Sequence, residues 1–72
     1  MEIEVFVYKS NVKSNKLAER IIFEINKKFP IIRTNFDLED IDKIYRLEAT
    51  QLEKKEIEKF IRNQNIELIE LE

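Results

Sequence analysis

The sequence predicts an α+β domain of two layers whose elements run β-α-β-β-α-β, and three observations predict it. Strand-like alternation occurs at 2–8 and 43–49, helical spacing of apolar residues occurs at 14–29 and 51–63, and 72 residues suffice for one core only. Residues 1–72 are therefore read as a single domain. No Cys, His or Gly is present, which excludes disulfide frameworks, thiolate or imidazole metal sites, Cys or His nucleophiles and glycine-lined phosphate loops.

In the first strand, Glu2 to Tyr8, the β-branched Ile3, Val5 and Val7 share one face, and the other face ends in Phe6 and Tyr8. From Ser14 the apolar positions are Leu17, Ala18, Ile21, Ile22, Ile25 and Phe29, a helical stripe. Ser14 is the expected N-cap, and Pro30 stops the helix because its ring fixes φ and it lacks an N–H. A second extended stretch follows from Ile31 to Leu38, with Phe36 and Leu38 on one face, and Glu39, Asp40 and Asp42 mark a turn. Lys43 to Ala49 reads as the third strand, with Tyr45, Leu47 and Ala49 on one face.

The second helix, Gln51 to Asn63, has two competing starts: a capping box of Thr50 with Glu53, or Glu53 as cap with Leu52 stapled on Ile57. Its buried stripe is Ile57, Phe60 and Ile61, and Asn63 or Asn65 takes the left-handed closing position. Ile66, Leu68, Ile69 and Leu71 form a fourth strand, where Ile69 breaks alternation and predicts a bulge or a fraying end. Right-handed crossovers arrange these elements as a ferredoxin-like βαββαβ two-layer sandwich, an antiparallel sheet of order 4-1-3-2 with both helices on one face. The other face is open, and Phe6, Tyr8, Ile44 and Arg46 are its candidate contacts.

Charge is unevenly distributed. From Lys9 to Arg33 the local charge is +5, from Thr34 to Glu72 it is -5, and the whole chain carries -2. Lys9, Lys13, Lys16 and Arg20 are the candidate partner-binding residues, with Lys27 close to the same helical stripe, and they suit an acidic protein partner. Negative total charge and the lack of a basic-aromatic run argue against nucleic acid. Asp37, Glu39, Asp40 and Asp42 lack the glycine-permitted turn of a calcium loop, so no metal and no cofactor is expected. No carboxylate couple stands beside an activating residue, and a non-enzymatic role follows.

No apolar run is long enough to span a membrane, and Met1 leads directly into the charged first strand, so the expectation is a cytoplasmic protein without a signal sequence. A monomer or weak dimer is expected, with Glu67, Glu70 and Glu72 discouraging pairing along the fourth strand.

The segments Ile3-Glu4-Val5-Phe6-Val7, Asn35-Phe36-Asp37-Leu38-Glu39-Asp40, Ile57-Glu58-Lys59-Phe60-Ile61 and Asn65-Ile66-Glu67-Leu68 together resemble the heavy-metal-associated domain of copper chaperones and metal-transporting ATPases. The resemblance implies a Met-x-Cys-x-x-Cys loop after the first strand, its methionine at Lys9 and its cysteines at Asn11 and Ser14. Amide and hydroxyl oxygens are poor donors for a soft monovalent metal, so those family positions read as vacant. Asn65-Ile66 likewise replaces the family's Gly-aromatic pair. The resemblance further implies docking of acidic domains onto Lys13, Lys16 and Arg20. Two alternatives stay open: metal homeostasis through non-thiol ligands, and a small-molecule-sensing regulatory module.

Overall fold

The computed structural model describes residues 2–71. Its elements are β1 (Glu4–Ser10), α1 (Asn15–Lys28), β2 (Arg33–Asp37), β3 (Ile44–Ala49), α2 (Gln51–Arg62) and β4 (Leu68–Leu71). The four strands form one antiparallel sheet in the order β2-β3-β1-β4, the ferredoxin-like arrangement.

Local chemistry sets the helix ends. Ser14 Oγ accepts from the Leu17 amide at 3.3 Å, and Lys27 and Lys28 stand in the last turn, where the helix dipole favours cations. At α2 the capping box decides the start: Glu53 N donates to Thr50 Oγ1 at 3.2 Å, and Thr50 N donates to Glu53 Oε1 at 2.9 Å. Asn65, with φ of 63°, takes the left-handed position, while Asn63 stays right-handed. Lys43 is also left-handed, with φ of 50°, and its ammonium donates to the Leu38 carbonyl across the turn.

The core lies between the helices and one face of the sheet. Ile21 and Ile25 of α1 and Ile57 and Ile61 of α2 pack on Tyr8, Tyr45 and Leu47. Val12, in the loop after β1, is buried in the same cluster.

Two expectations need correction. Phe6 and Tyr8 do not face the open side; they lie in the core, Tyr8 with 0% of its surface exposed. Register gives the reason: Phe6 pairs with Leu47 and Tyr8 with Tyr45, whereas Arg46 pairs with Val7. Both faces of β1 are apolar, and the larger area of the two rings goes inside, leaving the smaller Val5 outside. Ile44 and Arg46 do lie on the open side, in rows with Val7, Asn35 and Asp37. The second correction concerns Ile69, which needs no bulge. The β1–β4 register runs unbroken from Ser10↔Leu68 to Val7↔Leu71, with Ile66 and Leu68 buried and Ile69 and Leu71 turned outward.

Candidate functional site

The loop between β1 and α1 is pinned at both ends by its own polar side chains. Asn11 Oδ1 accepts from the Glu67 amide at 3.0 Å, which ties the loop to the segment entering β4. Ser10 Oγ donates to the Lys43 carbonyl at 2.6 Å and accepts from Val12 N at 3.3 Å. Asn11 and Ser14 are thus engaged in loop anchoring and helix capping. The turn acids are also engaged locally: Asp37 accepts from Glu39 N, and Asp40 accepts from Asp42 N. Among the described residues, no group of three or more His, Cys, Asp or Glu is placed to hold a metal ion.

Of the four basic residues singled out, Lys16 and Arg20 stand one turn apart on the exposed side of α1, and Lys13 stands exposed in the loop just before its cap. Lys9 is set apart from them. It points to the open face of the sheet, level with Ile69, and pairs with Asp42 at 3.5 Å. Arg20 Nη2 donates to Gln64 Oε1 at 2.8 Å, so the basic surface reaches the end of α2.

Sequence reasoning missed Phe23. Its ring is 64% exposed on α1, with Lys27 Nζ 5.5 Å from its centroid. Positions 16, 20, 23 and 27 share one stripe of a helix with 3.6 residues per turn, opposite the stripe of Ala18, Ile21 and Ile25. The signal was legible: Phe23 is the one apolar residue of this helix that falls among the cations.

A second group was also missed, on the other helix. Tyr8 Oη donates to Glu58 Oε2 at 2.7 Å, Lys54 bonds Glu70 at 2.8 Å, and Arg62 Nη1 reaches Glu58 Oε1 at 3.4 Å. Burial foremost, then the bond to Glu58, raises the Tyr8 hydroxyl far above its ordinary range. Glu70 foremost raises Lys54, which also lies 4.7 Å over the Phe6 ring. Each charge here is consumed by another, so the group straps α2 to β1 and β4 rather than offering a reactive atom. Positions 54, 58 and 62 are spaced by four, and this Lys-Glu-Arg ladder was its sequence signal.

Tyr45 is pushed up to about 12 by burial, an effect the neighbouring Thr34 opposes. Neither hydroxyl oxygen has a hydrogen-bond partner of good geometry. On the open face, two shallow clefts of about 270 Å³ flank Arg46, one bounded by Arg33 and Glu48, the other by Asp37 and Ile44. Among the described residues, no helix is long and apolar enough to cross a membrane.

Comparison with protein-family models, with curated proteins and with solved structures returns no match to this chain.

Proposed function

We propose that this chain is a small non-catalytic binding module that docks an acidic protein partner through α1 and the loop before it. The observation that carries the reading is Phe23, a ring 64% exposed and set among Lys16, Arg20 and Lys27. An aromatic anchor surrounded by charge has the anatomy of an interface hot spot: the ring supplies apolar area to bury, and the cations steer and orient the partner. The complementary surface is an apolar recess rimmed by carboxylates.

The heavy-metal-associated resemblance enters this reading as a scaffold. Asn11 and Ser14 give the loop its shape through main-chain hydrogen bonds, which support a domain of that type working without thiolates. The side chains given to docking lie outside the core, so replacing them tests binding without removing the fold.

A photo-crosslinking residue replacing Phe23, followed by mass spectrometry, should trap a partner whose linked peptides are acid-rich. Combined Lys13→Glu, Lys16→Glu and Arg20→Glu changes should abolish trapping, and salt well above 0.15 M should weaken it in the parent chain. Trapping unchanged by the three reversals would sink the reading.

A further inference from the structure

We propose that two copies of this chain associate along β2, antiparallel and two-fold symmetric about Asn35, so that their sheets join into one continuous sheet. β2 is an outer strand, paired with β3 on one side only, and its register with β3 is regular over all five residues. It carries no proline or bulge to blunt a free edge, and its two charges, Arg33 and Asp37, are of opposite sign. Its unpaired main-chain groups therefore form a ready template for another strand.

The sequence of β2 is complementary to itself. A two-fold axis through Asn35 sets Arg33 of one copy opposite Asp37 of the other, and the symmetry repeats that pair at the far end. Both pairs lie on the open face, since Arg33 is level with Glu48 and Asp37 with Ile44. On the helix side the same register sets Thr34 against Phe36 of the other copy, covering more of a half-buried ring. No other antiparallel two-fold register uses all five residues, and none pairs both charges of the strand with their opposites. Among the described residues, neither Arg33 nor Asp37 forms an ion pair within the chain; Asp37 Oδ1 accepts from the Glu39 amide, and its second carboxylate oxygen is left for this contact.

The opposite edge offers no such match. On β4, Arg62 already donates to the Leu68 carbonyl at 2.9 Å, Glu70 is taken up by Lys54, and the strand has no basic residue to answer Glu67 of a second copy. A contact of five residues per copy lies at the small end of specific interfaces, so the dimer belongs to high protein concentration.

The test is charge exchange read by sedimentation velocity over a concentration series up to the millimolar range, with circular dichroism confirming the fold of each variant. The parent chain should dimerise. Arg33→Asp and Asp37→Arg, each alone, place like charges at both ends of the contact and should weaken dimerisation at least tenfold. An equimolar mixture of the two variants, and the chain carrying both changes, restore opposite charges and should dimerise like the parent. A monomeric parent overturns the proposal, as do single variants that dimerise unimpaired or a mixture that fails to pair. These changes lie away from α1, so the docking reading stands or falls separately.

Discussion

At one edge of the sheet, the β4 backbone is met by Arg62, whose guanidinium reaches both the Leu68 carbonyl and Glu58, while Lys54 takes up the Glu70 carboxylate. At the other edge, β2 presents Arg33 and Asp37 with no ion pair among the described residues. Charge performs opposite tasks in the two places. Along α2 and β4 it is consumed by opposite charge within the chain, joining helix to strand; along β2 and the outer side of α1 it stays exposed, with no opposite charge among the described residues bound to it. The same contrast reassigns the tail acids as barriers to edge pairing: Glu70 turns to the helix side and is bonded by Lys54, Glu67 remains in that role, and Glu72 lies outside the described residues.

The largest effect should come from breaking the consumed side. Glu58→Ala leaves the buried Tyr8 hydroxyl without its acceptor and removes a carboxylate shared with Arg62 and Lys54. A loss of about 2–3 kcal/mol is expected, against about 0.5 kcal/mol or less for Asp37→Ala on the exposed side. Urea unfolding of both variants checks the pair of values, and equal losses would erase the distinction.

Next in size is alkaline pH. Tyr8, Tyr45 and Lys54 are all raised in the folded chain, so each keeps its proton where the unfolded chain has released it. Their stabilisation is complete below the unfolded values and declines as pH rises through the folded ones. For Tyr45 that window runs from 10 to about 12, with a slope of about 1.4 kcal/mol per pH unit. Urea midpoints measured between pH 9 and 11.5 should fall steadily. Tyr8→Phe and Tyr45→Phe should each flatten the fall, and a midpoint indifferent to pH would contradict the burial of both rings.

How far all this was legible in the sequence depends on whether a signal was local. Caps and helical stripes follow from neighbours in the chain, and Ser14 and Pro30 announce the ends of the first helix directly, whereas the start of the second stayed between two caps until the Thr50-Glu53 box decided it. The inward face of β1 is different, because Ile3, Val5 and Val7 compete with Phe6 and Tyr8 on nearly equal terms. Only pairing with Leu47 and Tyr45 of β3 decides it. The apparent slip at Ile69 likewise disappears once Lys9 is opposite it, since an outward isoleucine on a short edge strand is tolerated. Phe23 and the ladder at 54, 58 and 62 were readable from helical spacing. The self-complementary β2 was also on the page as letters, but it acquires meaning only when that strand proves to lie at an edge.

The smallest expected change tests the β4 edge itself. Arg62 is about half exposed and sits 3.4 Å from Glu58, so its ion pair contributes little, while its bond to the Leu68 carbonyl at 2.9 Å occupies main chain at the edge. Arg62→Ala should therefore cost under about 1 kcal/mol in global stability, with a disproportionate effect close by. Amide hydrogen exchange should quicken in β4 and leave β3 unchanged, because the core beneath β3 does not involve Arg62. Self-association through β4 should still not appear, since Glu67 brings only like charge to a second copy and β4 has no basic residue to answer it. If Arg62→Ala introduced into the Arg33→Asp chain produced a new dimer, acidity would not be what closes this edge, and Arg62 alone would separate a closed edge from an open one.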